Sequence, residues 1–493
     1  MLPVQLGSGV NLYGYYMFHG GVNPPGKLTT LMESQRTGYP TDVPVRNYDF
    51  QAPLSEYGEM RASFRRLKLV HYFLDAFGQE LAPMVVRPPE RTPASNADTS
   101  VLRLSARTLG DRGFIFVNNY LRQYSMPARK NVRISLDLPD GAVTVPSSPI
   151  DIPSGSYFIW PVNLDVAGAR LVYSTAQLFT RVSDADGAPV YFFFAVPGIA
   201  PEFAFDTSSV STLSAPGAVV SRYGGRTYVR RAHPGTRAAI TVRSKSGQRA
   251  RIVLLSRAQA ETAWRGTLAG VERLVLSPQE VFFDGDDIHL LAKGAPTFSL
   301  AAFPALRLRS SGQGALEPVA ADGLFARYRA RLPVRAPTVH VAKERDAAFA
   351  PPVKTFNAAT WRKVEIALVP SDSAFDQAGV WKLTVAPDAL RGLSNLFLEI
   401  RYAGDIARLY AGSELLDDDF FKGTSWRIAV KRFTPELARG PLQLRVLPLR
   451  RDAPVYIQPE LKPVFAANGQ VAKLLGVRAI PEYMIVVRAA APR

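Results

Sequence analysis

The chain has 493 residues, of which 59 are lysine or arginine and 42 are aspartate or glutamate, giving a formal net charge of +17. It has no cysteine, which excludes disulfides, thiol catalysis and cysteine-ligated metals. No run approaches the ~20 continuous apolar residues of a membrane helix. The hydrophobic content of 47%, with 39 prolines and 36 glycines, is typical of a large β-rich protein of several domains.

The first predicted element is a short buried strand over residues 12–18, an apolar and aromatic run with a single glycine inside it. Gly20 and Gly21 end this run, because glycine adopts backbone angles that other residues avoid. A loop rich in Pro, Gly, Thr and Ser then extends from Val22 to about Asn47.

A helix is predicted from Glu56 to about Phe77, where apolar residues recur at spacings of three and four. This apolar face consists of Met60, Phe64, Leu67, Val70, Leu74 and Phe77, and the opposite face carries Arg61, Arg65, Arg66 and Lys68. Gly78 is expected to end the helix. Strand, loop and helix together make one β/α unit.

Two motifs of this unit resemble glycoside hydrolase family 35, the retaining β-galactosidases. The first reads Asn11-Leu-Tyr-Gly-Tyr-Tyr-Met-Phe-His-Gly-Gly-Val-Asn23, with Val22 where the family has threonine. The second reads Tyr48-Asp-Phe-Gln-Ala-Pro-Leu-Ser-Glu-Tyr-Gly58, with Phe and Gln where the family has Tyr and Asp. The resemblance implies that residues 1–81 are the C-terminal remnant of a (β/α)8 barrel, its last β/α unit.

The resemblance also implies that Tyr48 and Phe50 contact the substrate. Phe50 stands where the family has a sugar-contacting tyrosine, so it can stack on a pyranose but cannot donate a hydrogen bond. Tyr48 keeps its hydroxyl and is the better candidate for a polar contact. The alternative is that both side chains only pack the barrel rim. His19 lies near the end of the predicted strand, where barrel enzymes place their chemistry, and a structural role is its alternative.

Retaining glycosidases need two carboxyl groups about 5–5.5 Å apart, and in this family both glutamates come from upstream barrel strands. The acids nearest the motifs, Glu33, Asp42, Glu56 and Glu59, belong to no family catalytic motif. We therefore predict an N-terminally truncated chain that has no catalytic residue and is inactive on its own. No cofactor or metal is predicted.

The rest of the chain is predicted to be mainly β, with β-sandwich or jelly-roll accessory domains like those of family 35. A proline-rich linker at residues 82–96 begins a β-sandwich-like domain over residues 82–265, which ends in a short helical stretch. A small β-domain or continuation follows over residues 266–345, and a jelly-roll, galactose-binding-like domain over residues 346–493. Residues 327–352, rich in Arg, Ala and Pro, are predicted to be a connection.

Three charged stretches each have two interpretations. The basic stretch Arg222–Arg251 alternates with apolar residues as solvent-facing strands do, and affinity for acidic polysaccharide is the alternative. Asp284-Gly-Asp-Asp287 with His289 fits a hairpin turn or a metal site, but lacks the spacing of an EF-hand loop. Asp417-Asp-Asp419 is predicted to be a solvated turn.

The sequence thus predicts the C-terminal part of a β-galactosidase that hydrolyses terminal β-linked galactose by retaining double displacement. Its predicted ligand is a β-galactoside or another carbohydrate, with no nucleic-acid or membrane partner. The alternatives are a non-catalytic carbohydrate-binding or structural β-protein, and a chain that assembles with a separately encoded N-terminal half. The parent enzyme is expected to be bacterial and secreted or periplasmic, whereas the localisation of this chain is left open.

Overall fold

The computed structural model describes residues 2–24, 44–122, 124–310, 314–357 and 365–490, so Glu33 and Asp42 lie outside the described residues. Within these ranges the chain is mainly β, as predicted, with mostly antiparallel strand pairs and few helices. None of the helices in these ranges combines the length and the apolar character that a membrane crossing requires. The elements of the N-terminal segment are α1 (Leu2–Gly7), β1 (Gly21–Val22), β2 (Asn47–Tyr48) and α2 (Ala62–Leu81).

The strand predicted at residues 12–18 is wrong, because this segment is irregular and is followed only by an isolated bridge between His19 and Leu54. Two of its aromatic side chains, Tyr15 and Phe18, pack on α2 and not within a sheet. The Tyr15 hydroxyl lies 2.8 Å from His71 Nε2, and the ring of Phe18 lies 5.8 Å from that of Phe64. A helix face therefore covers these two rings without a neighbouring strand. That the segment is a barrel remnant stays a proposal.

The predicted helix is confirmed as α2, although it begins later and runs through Gly78 to Leu81. Its packing differs from the prediction, because Lys68 on the expected polar face is only 7% exposed. The Lys68 ammonium lies 3.3 Å from the centre of the Trp264 ring and donates to the Glu261 carbonyl at 3.3 Å. Burial lowers the pKa of Lys68 to about 6. The helix is therefore covered on more than one side.

The strands of residues 85–255 form a β-sandwich within the region that the sequence predicts to be mainly β. An eight-stranded sheet in the order β14-β15-β12-β9-β8-β5-β4-β3 faces a five-stranded sheet in the order β10-β11-β17-β16-β13, and β6 pairs with β7. Their shared core also buries apolar residues of α1 and α2. The strands are β3 (Val85–Arg87), β4 (Arg103–Leu109), β5 (Arg112–Asn118), β6 (Arg129–Leu136), β7 (Val143–Ile152), β8 (Tyr157–Val166), β9 (Ala169–Ser174), β10 (Gln177–Ser183), β11 (Pro189–Phe194), β12 (Glu202–Asp206), β13 (Val210–Ser214), β14 (Val219–Tyr223), β15 (Arg226–Arg230), β16 (Ala238–Ser244) and β17 (Arg249–Leu255).

The basic stretch Arg222–Arg251 lies on β14–β17 as predicted, but several of its arginines are paired with carboxylates. Arg230 contacts Glu202 at 2.5 Å, and Arg249 and Arg251 lie 3.5 and 3.3 Å from Asp184. These arginines therefore form ion pairs within the sandwich. Affinity for acidic polysaccharide stays a prediction.

The next elements are α3 (Arg257–Glu261), β18 (Ala263–Leu268), β19 (Val271–Leu276), β20 (Glu280–Asp284), β21 (Asp287–Lys293), β22 (Thr297–Phe303), β23 (Arg307–Ser310), β24 (Glu317–Asp322) and β25 (Phe325–Arg331). The predicted short helix and the β20–β21 hairpin are confirmed. The connection predicted at residues 327–352 is wrong in part, because β25 enters it and the next strand lies inside it. The arginines of β25 point outward and give this stretch the composition of a loop, so the strand was not predicted. Tyr328 and Ala330 of the same strand point inward and pack on the core.

The C-terminal elements are β26 (Val339–Arg345), β27 (Thr355–Asn357), β28 (Glu365–Ala367), β29 (Gly379–Val385), β30 (Asn395–Ala403), β31 (Ile406–Ala411), β32 (Glu414–Phe420), β33 (Trp426–Ala429), α4 (Thr434–Arg439), β34 (Leu442–Val446), β35 (Leu449–Arg450), β36 (Gln470–Val471) and β37 (Lys473–Ala490). Short 3-10 turns occupy Thr207–Ser209, Asp372–Gln377, Val430–Phe433 and Pro459–Leu461. Two sheets, β26-β29-β34-β31-β32 and β20-β21-β37-β30-β33, bury most of the core of this region. Strand β37 pairs with β21 and with β30, on both sides of the division predicted at residue 345. That division stays a prediction.

Arg107 joins the N-terminal segment to the β-sandwich. Its side chain is 1% exposed and donates to the carbonyls of Leu6, Ala82 and Met84 at 3.3, 3.2 and 3.1 Å. It also donates to Asn11 Oδ1 at 2.9 Å. One guanidinium therefore satisfies acceptors from α1, from the following loop and from the end of α2.

We expect Arg107→Met to lower the free energy of unfolding by about 2–4 kcal/mol, because several buried acceptors lose their donor. Denaturant unfolding measures the loss, and amide hydrogen exchange should place it at α1. Arg112→Met is the control, since Arg112 is exposed on the neighbouring strand. Equal stability of the two variants would contradict the role of Arg107.

Candidate functional site

Three aromatic side chains meet at the surface beside β2, and we call Tyr16, Tyr48 and Phe50 the aromatic rim. The hydroxyls of Tyr16 and Tyr48 are in hydrogen-bonding contact. The ring of Phe50 lies 4.7 Å from that of Tyr48 and 6.2 Å from that of Tyr16, edge to face in both pairs. Tyr16 is 80% and Phe50 63% exposed, so two rings offer apolar faces to solvent. The structure thus brings the two sequence-predicted residues together and adds Tyr16.

Phe50 is held outward by an unusual backbone. Phe50 and Gln51 have φ values of +49° and +55°, a left-handed conformation that is unfavourable for side chains with a Cβ. The buried Asp49 stabilises this turn by accepting from the N–H groups of Gln51 and Glu56 at 2.8 and 2.9 Å. Arg61 pairs with the same carboxylate at 2.6 Å. Backbone strain of this kind often marks functional loops.

The backbone also approaches Asp49 so closely that residue 20 must be glycine. A Cβ on Gly20 would lie 2.8 Å from Asp49 Oδ2 and 2.7 Å from the Glu56 nitrogen. Gly20 of the first motif therefore lets its backbone lie against the turn of the second motif, which carries Phe50. This contact explains why the two motifs belong to one site.

The loop that carries the aromatic rim is anchored to the C-terminal sheet by Asp418 on β32. Its carboxylate accepts from the backbone N–H groups of Val45, Arg46 and Asn47 at 2.5, 2.7 and 3.0 Å. Burial raises the pKa of Asp418, and these three donors act in the opposite direction. A side chain more than 370 positions away in sequence thereby fixes the backbone next to Tyr48.

The solvated turn predicted at residues 417–419 is wrong. Asp417, Asp418 and Asp419 lie on β32 and are 1%, 1% and 4% exposed. Asp417 accepts from the Tyr57 hydroxyl at 2.7 Å, and Asp419 accepts from the Tyr402 hydroxyl at 3.0 Å and from Lys422. Carboxylates can be buried only where donors satisfy them, and for Asp417 and Asp418 those donors come from a segment that is distant in sequence. The flanking apolar residues of β32 were the signal that sequence analysis missed.

Glu56 and Asp417 form a carboxyl pair within hydrogen-bonding reach of each other. Burial raises the pKa of both groups, and the neighbouring Glu56 charge raises that of Asp417 further. With both groups ionised, Glu56 Oε2 is buried without a hydrogen-bond partner among the described residues. A proton held by one of the two carboxyls would supply the missing bond, in keeping with the raised pKa of both groups.

His19 lies at a cleft of 450 Å3 together with Glu56, Tyr57 and Arg432. Its Nδ1 is 2.5 Å from the Gly20 carbonyl, and the Arg432 guanidinium lies 3.5 Å from Glu56 Oε1. His19 therefore lies beside the loop but does not contact the residues of the aromatic rim. Its chemical and structural interpretations both stay open.

The site offers aromatic faces and tyrosine hydroxyls, whereas its carboxylates are occupied. Asp49 and Asp418 hold backbone N–H groups, and Glu59 pairs with Arg427 at 2.9 Å and Lys293 at 3.2 Å. In the described ranges no three His, Asp or Glu side chains cluster as metal ligands would. The arrangement can bind an apolar face that also presents hydroxyls, which is the character of a sugar ring.

We expect Asp418→Asn to loosen the loop. The substitution replaces one carboxylate oxygen by an NH2 group, which cannot accept hydrogen bonds from the backbone N–H groups of the loop. The amides of Val45, Arg46 and Asn47 should exchange with solvent about tenfold to a hundredfold faster, corresponding to about 1.5–3 kcal/mol. Hydrogen exchange followed by mass spectrometry measures this. Asp346→Asn, at a carboxylate whose side chain is 83% exposed, is the control and should change nothing.

The Glu56–Asp417 pair should make the attachment of the loop weaker as pH rises. Unfolded carboxyls titrate near about pH 4, but the folded pair retains a proton above that pH because both of its pKa values are raised. Stability should therefore fall from about pH 4 upward until the folded pair has lost that proton. Glu56→Gln provides a permanent donor, so the stability of this variant should change less with pH. Thermal unfolding measured from about pH 4 to about pH 8 would show the difference. Glu414→Gln, on an exposed residue of β32, should leave the slope unchanged.

Comparison with known proteins identifies part of the chain. Residues 90–262 match the model of "Beta-galactosidase, domain 2". Over 208 residues, 42% of this chain, it is 28% identical to the probable beta-galactosidase A of Aspergillus fumigatus. Over 311 residues, 58% of this chain, it is 25% identical to beta-galactosidase A of Aspergillus oryzae, and over 209 residues, 41% of the chain, 26% identical to that of Aspergillus niger.

These matches cover only part of the relatives. The aligned regions span 19% of the length of the A. fumigatus and A. niger proteins and 29% of that of the A. oryzae protein. They also extend the resemblance seen in the two motifs to the β-sandwich that follows α2. Residues 90–262 therefore resemble domain 2 of the β-galactosidases, and parts of the chain are similar to accessory regions of fungal β-galactosidases A.

Proposed function

We propose that this chain acts in carbohydrate metabolism as the accessory part of a β-galactosidase that hydrolyses terminal β-linked galactose with retention. The observation that carries the proposal is the aromatic rim, which is exposed and held in a fixed geometry in a chain whose residues 90–262 match β-galactosidase domain 2. In this proposal Tyr48 and Phe50 line the galactose subsite of the complete enzyme. Similarity to fungal proteins named as β-galactosidases supports the substrate class.

The chemistry of the rim suits one pyranose. Phe50 presents an apolar ring to which the C–H face of a sugar can pack, and Tyr16 offers a second exposed ring. The paired hydroxyls of Tyr16 and Tyr48 can both donate to and accept from sugar hydroxyls. The fixed backbone around Phe50 means that little conformational entropy is lost on binding.

We place both catalytic glutamates outside this chain. Double displacement needs a nucleophile and an acid/base about 5–5.5 Å apart, with both carboxyls facing the sugar. Beside the aromatic rim, Asp49 and Asp418 are bound to backbone N–H groups, and Glu56 and Asp417 contact each other below the surface. Among the described residues these acids support the loop and leave no such pair facing the rim.

The purified chain should not hydrolyse a chromogenic β-galactoside. A stopped assay with excess protein tests this, and turnover that survives repurification would contradict the placement of the catalytic groups. Co-expression with a family 35 catalytic barrel tests the remaining alternative, assembly with a separately encoded N-terminal half. Recovery of activity with co-purification would support that alternative.

Replacement of Phe50 should change galactoside binding independently of turnover. We expect Phe50→Ala to weaken binding of methyl β-galactoside by about fivefold, about 1 kcal/mol, because a stacking face is lost. Phe50→Tyr supplies the hydroxyl that the family has at this position and should strengthen galactoside binding. Saturation-transfer NMR on the whole chain measures both effects. Phe349→Ala, at a ring that is 79% exposed outside the rim, is the matched control.

A non-catalytic carbohydrate-binding or structural β-protein is the second candidate. It is favoured by the acids beside the rim, which serve to hold the loop. Sugar binding without turnover, unchanged by any added barrel, would support the binding form of this alternative. If no sugar binds and Phe50→Ala has no effect, a structural role would be favoured and the galactose subsite would be wrong.

A further inference from the structure

A large cavity lies in the C-terminal region, in a part of the molecule separate from the aromatic rim. Its volume is 960 Å3, and its walls come from the segments around residues 351–354, 367–374, 404–406 and 448–457. Small apolar clusters flank it, one containing Phe375, Ile406 and Leu447 and the other Leu449 and Ile457. A volume of this size accommodates a ligand of two or more sugar rings.

Asp405 is fixed in the wall of this cavity. Its N–H donates to the Leu447 carbonyl at 2.7 Å, and its carbonyl accepts from the Phe421 N–H at 2.8 Å. The turn before it is tight, since a Cβ on Gly404 would lie 2.4 Å from Val446 Cγ1. The carboxyl position is thus set by backbone bonds and does not depend on a ligand.

The Asp405 carboxyl has no hydrogen-bond donor and no ion-pair partner among the described residues, and Asp405 is partly buried in the cavity wall. This burial raises its pKa to about 6. Each of the three acids on β32 is satisfied by protein donors, so Asp405 differs from those acids. A partly buried carboxylate without protein partners can accept hydrogen bonds from a bound molecule.

The other residues that line the cavity indicate which kind of ligand it can bind. Phe420, Phe421 and Tyr456 contribute rings, and Phe420 and Tyr456 are 43% and 78% exposed. Lys354 and Arg450 lie on the wall and disfavour a cationic ligand, while Asp405 disfavours an anionic one. A neutral molecule with hydroxyl donors and apolar faces satisfies all three conditions.

We propose that this cavity is a saccharide-binding site that takes a neutral oligosaccharide. The Asp405 carboxylate accepts hydrogen bonds from sugar hydroxyls, and the rings of Phe420 and Tyr456 pack against the sugar faces. Such charge-assisted bonds are stronger than neutral ones and need a fixed acceptor, which the backbone around Asp405 provides. The site would hold a polymeric or oligomeric substrate on the C-terminal region, independently of the aromatic rim.

The test is titration of the whole chain with lactose, cellobiose and maltotriose, followed by calorimetry or by NMR shifts. We expect saturable binding of at least one of these sugars. Asp405→Asn should weaken it about tenfold or more, because the charged acceptor is lost while the backbone bonds remain. Tyr456→Ala removes a mostly exposed ring and should weaken the same binding without affecting the fold.

The controls separate this site from the aromatic rim. Asp346→Asn and Tyr120→Ala change an exposed carboxylate and a 48% exposed tyrosine elsewhere and should bind as the unmodified chain does. Phe50→Ala should leave the binding of cellobiose and maltotriose intact, whereas lactose is a β-galactoside and can also occupy the aromatic rim. Binding that is lost in Phe50→Ala but kept in Asp405→Asn would overturn the proposal and support the rim instead. Absence of binding, or binding of polygalacturonate alone, would also overturn it.

Discussion

The structure around the aromatic rim depends on carboxylates that are buried where two distant segments supply their donors. Asp418 receives three backbone N–H groups from the loop before Tyr48, and Asp417 receives the Tyr57 hydroxyl. Burial of an unsatisfied charge is strongly unfavourable, so strand β32 and this loop can be stable only together. The N-terminal segment is therefore an integral part of the C-terminal region and not an appended tail.

This constraint also separates binding from catalysis at the site. The acids beside the aromatic rim are used to hold the turn that presents Phe50 in a left-handed conformation. Groups fixed in this way are poor nucleophiles, but they hold rigid the turn that carries Phe50, which we propose as a sugar contact. An accessory region that contributes a binding surface to a β-galactosidase is consistent with the second-domain match and with the fungal relatives.

Local signals predicted much of the secondary structure and failed where packing partners decide. The strand patterns of the sandwich, the helix α2 and the β20–β21 hairpin were read correctly from periodicity and turn residues. The run at residues 12–18 has the composition of a strand. Its Tyr15 and Phe18 rings nevertheless pack on α2, and its backbone does not pair with a strand. Composition alone cannot distinguish these environments, because both bury aromatic side chains.

By itself, the sequence determined the mainly β class, the family likeness and the pairing of Tyr48 with Phe50 in one motif, since these follow from residues that are close together in the chain. Only the tertiary structure decided that Asp417–Asp419 form a buried strand, that Lys68 lies under Trp264, and that Tyr16 completes the aromatic rim. The physical reason is the same in each case. Whether a charged group can be buried depends on donors, acceptors and rings that other parts of the chain bring to it, and no local pattern records them.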